Sequence, residues 1–407
     1  MSKRILFVDD DPLVLSGLER GLHSMRPDWE MVFVSGGQEA LRCMAEEPFD
    51  VVVTDMQMPV MSGAQLLEKI QQKYPRCLRF VLSGQADKDS ILKSVNPAHQ
   101  FLSKPCQTDE LKRRLGRAFA IRGLIQSPEL RELVSQQESL PSLPTLYVEL
   151  TKELSKSEPS VARIAKLVSS DMAMTAKILQ LVNSPFFGLR GQVSNPSTAV
   201  QLLGMDILKA LVLSTHVFSK FRTDLFSQAD IDHFWQRSLT VGSYARRIAI
   251  LERAKQGVEE DCFTAGLLHD VGKLILASAA KAKYAEVLSE VGKQGTNLVA
   301  AENAILGCSH ARVGAYLLAL WGLPDAVIEA VAFHHNPSES FQAAFSPTAA
   351  AHVASVYYER WNPYWLQDGT PMDTEHLGKI GCLEREQTWG GILQEQQDSP
   401  QEQATQT

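Results

Sequence analysis

The chain of 407 residues lacks three features that would assign it quickly to a class of protein. None of its 6 cysteines form a CxxC pair, which argues against a disulfide framework or a zinc knuckle and fits a reducing cytoplasm. No apolar run approaches the roughly 18 to 20 residues of a membrane span. The formal net charge is −7, so the chain has no general electrostatic attraction for nucleic acid or anionic lipid. With 44% apolar residues, it can build more than one core.

Short apolar runs alternate with amphipathic stretches over residues 1–120. Val51, Val52 and Val53 follow one another without polar alternation, as expected of a central parallel strand covered on both faces. The other apolar runs predict strands at residues 5–8, 31–34, 80–82 and 100–102. This repetition predicts a doubly wound α/β sandwich with five β–α units, in which ligands bind at the carboxyl ends of the strands.

Beyond residue 125 the strand signal ends. Residues 126–144 combine prolines with Ser, Gln and Glu, which predicts a linker. Apolar residues then recur at helical spacing, so an all-helical domain is expected to follow the α/β domain. Residues 394–407 are rich in Gln and nearly free of apolar side chains, which predicts disorder. The predicted limits are 1–122 for the first domain, 123–140 for the linker, 141–380 for the helical domain (core about 141–345) and 381–407 for the tail.

Charged and polar side chains follow four of the predicted strands. Asp9 and Asp10 follow the first strand, Asp55 the third, Ser83 the fourth and Lys104 the fifth. At one edge of the sheet, three carboxylates would repel one another unless a hard cation bound there, and oxygen ligands favour Mg²⁺. Lys104 supplies a point charge suited to a phosphoryl group, and one carboxylate can act as a nucleophile toward a phosphoryl donor.

These motifs together resemble the receiver domain of two-component response regulators over residues 1–120. The motifs are Val8-Asp9-Asp10, Asp55, Met58-Pro59 with Ser62-Gly63, Ser83-Gly84, and Lys104-Pro105. Taken singly, each has a plainer interpretation, because a strand-end aspartate is more often a cap or turn residue and a Lys-Pro pair is common in loops. The third acid of the first motif, Asp11, is expected to cap the following helix.

The resemblance implies a role for each residue of the pocket. Asp55 would accept the phosphoryl group from a sensor histidine kinase. Ser83 and Lys104 would sense the phosphate, and the Lys104–Pro105 bond would be cis. Phe101 would be the switch aromatic, although a plain core aromatic is about as common at such a position. The residues implied as Mg²⁺ ligands are Asp9, Asp10, Asp55 and Gln57, the last through its backbone carbonyl.

The helical region contains histidines in an arrangement that could bind a metal. His269 and Asp270 are adjacent, and adjacent residues on a helix point about 100° apart, so the pair could hold an ion from two directions. His310, His334 and His335 from other helices could complete an iron or manganese site. The pattern resembles the HD superfamily of metal-dependent phosphohydrolases, in which a bound metal activates water.

The match to that superfamily has gaps. Arg237 stands in the place of the first ligand, and a guanidinium cannot coordinate a metal. Ser355 stands where an acid is expected on a late helix, and His352 could substitute for it only in a different register. The sequence Asn336-Pro337-Ser338 follows the histidine pair where cyclic-di-GMP-cleaving HD enzymes carry Gly-Tyr-Pro.

Wider motifs over residues 137–345 resemble the HD-related output domain, HDOD. They are Leu140-Pro141-Ser142-Leu143-Pro144, Asp171, Leu181-Val182-Asn183-Ser184-Pro185-Phe186-Phe187-Gly188, Ala199, Leu203-Gly204, Glu302, Gly307, His310, Gly314 and Trp321-Gly322-Leu323-Pro324. The resemblance implies a signalling or protein-interaction module that commonly lacks a complete metal set. Two interpretations of the HD-type residues stay open, a degenerate remnant with a residual metal or ligand pocket, and histidines satisfied in a helical core.

The sequence thus predicts a cytoplasmic response regulator, phosphorylated on Asp55 by a histidine kinase. Its HDOD output would be non-catalytic, without a metal, and would regulate a partner through protein contacts, with no nucleic acid or membrane involved. A cyclic-di-GMP phosphodiesterase is one such partner, and a homodimer is compatible with the sequence. The alternative is a phosphorylation-gated, metal-dependent HD-type phosphohydrolase that cleaves cyclic-di-GMP.

Overall fold

A computed structural model shows a chain that separates into two compact units. The first comprises Met1–Phe221 with Tyr316–Leu323, and the second Arg222–Ala315 with Pro324–Thr407. The structure describes residues 3–83, 98–104, 106–137, 141–142, 144–156, 158–183, 192–213, 219–220, 225–255, 257–294, 297–340 and 342–398.

The first unit begins with a parallel sheet of five strands in the order β2-β1-β3-β4-β5. The strands are β1 (Lys3–Val8), β2 (Trp29–Val34), β3 (Val51–Asp55), β4 (Leu78–Ser83) and β5 (Gln100–Ser103). Every residue of β3 is buried, as its run of valines predicts, and Val53 pairs with Phe7 on one side and Phe80 on the other. The prediction of a doubly wound α/β fold is confirmed.

Helices follow the strands and begin close to the predicted pocket. They are α1 (Pro12–Leu22), α2 (Gly37–Glu46), α3 (Gly63–Lys73) and α4 (Thr108–Ile121). Asp11 caps α1 as predicted, because its side chain accepts the backbone N–H of Leu13 at 2.8 Å. Ser62 and Gln65 form a capping box at the start of α3. These caps fix the loops that follow β1 and β3.

The predicted linker contains a helix, α5 (Pro128–Ser135), so the interpretation of this segment as a plain linker is wrong. Ser127 caps it and Pro128 occupies its first turn, so the residues taken for linker composition are helix-start signals. Leu130 and Val134 are buried. The carbonyl of Ser135 accepts a hydrogen bond from Nε2 of His99 at 2.9 Å.

The rest of the first unit is helical apart from one short ladder. Its helices are α6 (Pro144–Leu154), α7 (Val161–Ser169), α8 (Met172–Val182) and α9 (Pro196–Leu213). Every residue of α8 is buried, and Asp171 caps it through the N–H of Met174 at 2.9 Å. Two short strands, Pro141–Ser142 and Ser219–Lys220, pair in parallel, a small departure from the predicted all-helical domain.

In the described residues of the second unit, all regular secondary structure is helical. Its helices are α10 (Gln228–Leu251), α11 (Val258–Leu268), α12 (Val271–Ala279), α13 (Lys281–Gln294), α14 (Leu298–Leu306), α15 (His310–Leu320), α16 (Asp325–Phe333), α17 (Pro347–Trp361), α18 (Thr374–Lys379) and α19 (Leu383–Asp398). Of these, α15 continues from the second unit into Tyr316–Leu323 of the first unit. By length and composition alone the stretch Val258–Ala279 could cross a membrane, which the sequence analysis did not expect, but 83% of that window is buried inside the protein.

The predicted tail at 381–407 is also corrected, because α19 occupies most of its described part. Trp389 and Leu393 of this helix are buried in a core cluster together with Tyr244 and Val353. The glutamines that suggested disorder surround a narrow apolar stripe. Residues 399–407 lie outside the described part of the chain.

Candidate functional site

The carboxyl edge of the sheet brings together three of the predicted pocket residues. Nζ of Lys104 lies 2.6 Å from Oδ2 of Asp9 and 2.5 Å from Oδ1 of Asp55. Asp9 is 1% exposed and Asp55 is 7% exposed, whereas Asp10 is exposed. One ammonium group therefore bridges two carboxylates, and its positive charge offsets the repulsion between these two buried negative charges.

Burial and charge act in opposite directions in this pocket. Burial raises the pKa of Asp55 above its ordinary value, and Asp9 adds to the rise, against the opposing effect of Lys104. Burial alone would lower the pKa of Lys104, but its hydrogen bonds with Asp55 and Asp9 raise it. Lys104 thus remains a cation beside Asp55.

The loop after β3 holds the Asp55 carboxylate from the backbone. The N–H of Gln57 donates to Oδ2 of Asp55 at 2.9 Å. At Gly63 a Cβ atom would collide with the carbonyl oxygen of Asp55, so glycine is required for α3 to begin this close to the pocket. Between them, Val60 is 88% exposed and has a φ of 68°, a strained conformation for a β-branched residue.

Several predicted features of this pocket cannot be placed. Ser83 ends β4 and Phe101 lies in β5, where Ser83 pairs with Ser103, but the side chains of Ser83 and Phe101 lie outside the described part. Gly84 and Pro105 also lie outside it, and with them the predicted cis bond. Their roles stay predictions.

The second unit contains a buried cluster in which all five HD-type residues meet. His269 and Asp270 lie at the junction between α11 and α12, not within one helix as the sequence analysis assumed. The ring centroids of His269 and His334 are 5.1 Å apart, and Nε2 of His310 lies 3.0 Å from Nε2 of His335. His335 is 7% exposed and the other four residues are 2% exposed or less.

Each histidine of the cluster is oriented through its Nδ1 atom. The partners of Nδ1 are the Gly266 carbonyl for His269 (2.6 Å), Glu302 for His310 (2.7 Å), the Val331 carbonyl for His334 (2.9 Å) and the Thr370 hydroxyl for His335 (2.6 Å). Every Nε2 atom therefore points toward the centre of the cluster. Nε2 of His334 is buried without a hydrogen-bond partner in the described part of the chain.

Arg237 of α10 reaches the same centre. Gly242 and Gly266 let α10 and α11 approach closely, since a Cβ at Gly266 would lie 2.7 Å from the Cα of Gly242. Nε of Arg237 lies 2.8 Å from Oδ2 of Asp270, and Nη2 donates to the hydroxyl of Ser355 at 3.0 Å. The two positions that the sequence analysis marked as gaps in the ligand set thus contact each other.

Three charged residues of this cluster were missed as site residues in the sequence analysis. Lys273 contacts Asp270 at 2.9 Å and Asp368 at 2.8 Å, and Glu359 contacts Arg237 at 2.9 Å. The spacing of Lys273 from Asp270, three residues along one helix, was an available signal. No sequence signal pointed to Asp368, because it lies in the non-helical residues 362–373. Only the tertiary fold brings this acid into the cluster.

His352 is excluded from the cluster by its own hydrogen bonds. Nδ1 donates to the carbonyl of His334 at 2.7 Å, and Nε2 accepts the N–H of Asp373 at 2.9 Å. Both ring nitrogens are therefore used by the backbone. Burial lowers the pKa of His352 to about 4, so this histidine is neutral and structural.

The charges of the cluster determine the protonation of its members. Burial would raise the pKa of Asp270, but His269, Lys273 and Arg237 hold it well below its usual range. Burial would lower the pKa of His310, but Glu302 and the nearby acids raise it to about 9. Burial, reinforced by neighbouring histidines, lowers the pKa of His334 well below its usual range. The cluster is a set of paired charges beside a neutral imidazole, that of His334, whose Nε2 has no hydrogen-bond partner in the described part of the chain.

These observations test whether the residues fit a metal. Three groups have ligand atoms within 4.8 Å of one another, namely His310–His334–His335, His269–Asp270–His334 and Asp270–His310–Asp368. Arg237 and Lys273 already contact Asp270 and Asp368, the carboxylates of two of these groups. The donor atoms suit a metal, but two protein cations contact the carboxylates of two of the groups, and in the third group Nε2 of His310 and Nε2 of His335 already pair with each other at 3.0 Å. The described set therefore does not fit a metal as it stands.

Two family models match separate parts of the chain. Residues 5–116 match the model of the response regulator receiver domain, and residues 140–337 match that of the HDOD domain. An uncharacterized protein from Treponema pallidum is 24% identical over 230 residues, 56% of this chain and 44% of that protein. The hydrogenase transcriptional regulatory protein HoxA from Cupriavidus necator is 30% identical over 122 residues, 30% of this chain and 25% of that protein. The chain thus spans less than half the length of these relatives.

Among solved structures, the MmoQ response regulator from Methylococcus capsulatus is 25% identical to this chain. The match covers 63% of this chain and 97% of that one, with a TM-score of 0.47.

Proposed function

Because this chain is a response regulator with an N-terminal receiver domain and a C-terminal HDOD output domain, we propose that a sensor histidine kinase phosphorylates Asp55. The observation that carries the proposal is the bridge of Lys104 between Asp9 and Asp55. It places a buried nucleophile, a second carboxylate and a cation within one ion-pair distance of each other.

In the proposed step, a carboxylate oxygen of Asp55 attacks the phosphorus of a phosphohistidine on the kinase. The new P–O bond forms as the P–N bond breaks, and the electron pair of that bond returns to the imidazole. Lys104 then pairs with the phosphoryl oxygens instead of the free carboxylate. Ser83 and Phe101 are proposed to respond to that change, Ser83 as a hydroxyl donor and Phe101 as the switch.

The donor set of the pocket suits Mg²⁺. Asp9, Asp10, Asp55 and the carbonyl of Gln57 would hold it, since all four offer the hard oxygen atoms that this ion prefers. When bound, Mg²⁺ would neutralise charge on the phosphoryl oxygens. The exposed side chain of Asp10 is free to turn toward the ion, whereas Asp9 is already fixed by the N–H of Asp11 at 3.0 Å.

The receiver is proposed to span residues 1–122 and the HDOD domain residues 141–380. We place the protein in the cytoplasm, with homodimer formation as one possible assembly. The output is proposed to be a protein contact with a downstream signalling protein, a cyclic-di-GMP phosphodiesterase being the first candidate. No nucleic acid or membrane enters this scheme.

The HDOD domain is proposed to be non-catalytic. Arg237 contacts Oδ2 of Asp270, the carboxylate that a catalytic metal would need, and so places a fixed cation where the metal would bind. The alternative, a phosphorylation-gated phosphohydrolase, requires a metal to displace a guanidinium held by three carboxylates.

Replacing the phosphoacceptor tests the first part of the proposal. Asp55→Asn should abolish Mg²⁺-dependent labelling by a phosphorylated histidine kinase, because the amide cannot act as the nucleophile. Asp109→Asn is the matched control, since the side chain of Asp109 is 99% exposed. The measurement is transfer of radiolabelled phosphate, with circular dichroism to check the fold. Equal labelling of the Asp55 variant would place the phosphate elsewhere.

Hydrolysis assays test the second part. The full chain, with Mn²⁺ or Fe²⁺ added, should cleave cyclic-di-GMP no faster than buffer because Arg237 occupies the metal's surroundings. Product formation is followed by chromatography with Asp55 phosphorylated and unphosphorylated. Turnover that disappears in His269→Ala would instead support the phosphohydrolase.

A further inference from the structure

Four buried charges in the second unit form a closed ring. Arg237 contacts Asp270 at 2.8 Å and Asp368 at 2.5 Å, and Lys273 contacts the same two acids at 2.9 and 2.8 Å. No member of this four-charge ring is more than 3% exposed. Each carboxylate therefore contacts two cations, and each cation contacts two carboxylates.

The ring lies beside the donor atoms of one of the candidate metal groups. Nε of Arg237 lies 3.4 Å from Nε2 of His269, which itself lies 3.2 Å from Oδ2 of Asp270. His269, Asp270 and His334 are one of the groups whose ligand atoms could hold a metal. The guanidinium thus meets the same donor atoms that an ion would use, and Nε2 of His334 is left without a partner beside them.

The charges of the ring are already balanced, as they would be in a site that held a metal ion. Its two carboxylates are matched by the guanidinium and the ammonium, so a further divalent ion would bring charge that no free carboxylate of the ring offsets. At the two groups that contain these carboxylates, a metal could enter only by displacing a cation that is covalently part of the chain. Glu359 and Ser355 hold that cation from its outer side, at 2.9 and 3.0 Å.

We infer that Arg237 and Lys273 are built-in cations that take the place of a bound metal ion, and that Arg237 is the residue that excludes the ion. The inference deepens the proposed non-catalytic role of the HDOD domain by naming what occupies the site. It does not involve Asp55, so phosphate labelling can fail or succeed independently of it.

The experiment is a Co²⁺ titration of the full-length protein and of Arg237→His. The substitution removes the guanidinium and adds an imidazole beside His269, Asp270 and Asp368. After gel filtration, Arg237→His should retain at least about tenfold more Co²⁺ than the wild type and show a visible ligand-field absorption. Arg237→Lys is the matched control, since it keeps a cation and should retain no more than the wild type. The receiver pocket is the same in all three proteins, so ions bound there cancel in the comparison.

Two results would overturn the inference. One is a folded Arg237→His protein, judged by circular dichroism, that retains no more Co²⁺ than Arg237→Lys. The other is a protein with Arg237 intact and the receiver pocket disabled by Asp9→Asn and Asp10→Asn that still holds stoichiometric Co²⁺ or whose melting temperature falls when EDTA is added. A melting temperature of that protein unchanged by both Co²⁺ and EDTA supports the inference even where Arg237→His does not fold.

Discussion

His99 is a buried histidine that belongs to neither site and joins the receiver to α5. Nδ1 accepts the N–H of Arg79 at 3.1 Å, and Nε2 donates to the carbonyl of Ser135 at 2.9 Å. Burial, together with the nearby charge of Arg79, holds the pKa of His99 well below its ordinary value. The bond that Nδ1 accepts requires the neutral ring, whereas Nε2 can donate to Ser135 in either state. Protonation of the buried ring would therefore break the bond to Arg79 that orients His99 toward Ser135 at the end of α5.

The pKa of His99 predicts a loss of α5 attachment in acid. The unfolded or detached histidine takes up a proton near pH 6.5, but the buried one does so only at a much lower pH. Its stabilising contribution is therefore complete above about pH 6.5 and is lost as the pH falls from there toward the lowered pKa. Hydrogen exchange of the α5 amides, corrected for intrinsic rates, should show less protection at about pH 5 than at about pH 7.

His99→Gln provides the control for this prediction. Glutamine can donate to Ser135 but has no group that titrates in this range, so the pH dependence of α5 protection should vanish. Equal protection of α5 at both pH values in the wild type would contradict the assignment.

The sequence identified site residues where their partners lie in recognisable motifs. Asp9, Asp55 and Lys104 were expected together because parallel strands end at one edge. Arg237 was expected at a ligand position, and its contact with Asp270 agrees with that placement. Asp368 could not have been found, since nothing in residues 362–373 repeats or matches a motif, and only the fold brings this acid to Arg237.

Among the elements, the strands were predictable and two helices were not. The strand segments are short, continuous apolar runs, and such runs are typical of strands in a parallel sheet that is buried on both faces. The helices α5 and α19 have few apolar residues, so composition alone resembled linker and tail. Their buried positions, such as Val134 in α5 and Trp389 in α19, contribute through contacts with distant residues that periodicity does not reveal.

The burial of Trp389 predicts that α19 is part of the stable fold. Trp389 is 2% exposed, and its indole N–H donates to Glu252 at 3.2 Å. Trp389→Ala should lower the free energy of unfolding by about 3–5 kcal/mol, because it opens a large cavity in the core cluster. Urea unfolding followed by circular dichroism measures the change.

Leu383→Ala is the matched control on the same helix. Leu383 is 43% exposed, so its truncation should change the free energy of unfolding by no more than about 0.5 kcal/mol. Similar effects of the two substitutions would mean that α19 does not pack as described.

At the scale of the whole molecule, a receiver domain with a proposed phosphorylation pocket is combined with an output domain proposed to have no chemistry of its own. Such a protein can transmit its signal only by changing a binding surface. Coupling of this kind is typically about 1–3 kcal/mol, or roughly 5- to 150-fold in affinity. The affinity for the downstream partner should therefore differ by such a factor between the phosphorylated and unphosphorylated protein, and Asp55→Asn should bind as the unphosphorylated form does.

A titration of candidate signalling enzymes measures this difference, beginning with a cyclic-di-GMP phosphodiesterase. Removal of residues 1–120 should fix the output in one state. Identical binding curves for every kinase-linked candidate, together with sequence-specific DNA binding by residues 125–380, would make the protein a transcriptional regulator instead.

The four-charge ring has a consequence for how far the output domain depends on metal supply and on oxidising conditions. A centre whose cations are encoded as Arg237 and Lys273 is complete as soon as the chain folds. If Arg237 excludes a metal as proposed, assembly of this centre needs no ion delivery and offers no iron to oxidise. The output domain of such a signalling protein should therefore fold and bind its partner in the same way when transition metals are scarce and during oxidative stress.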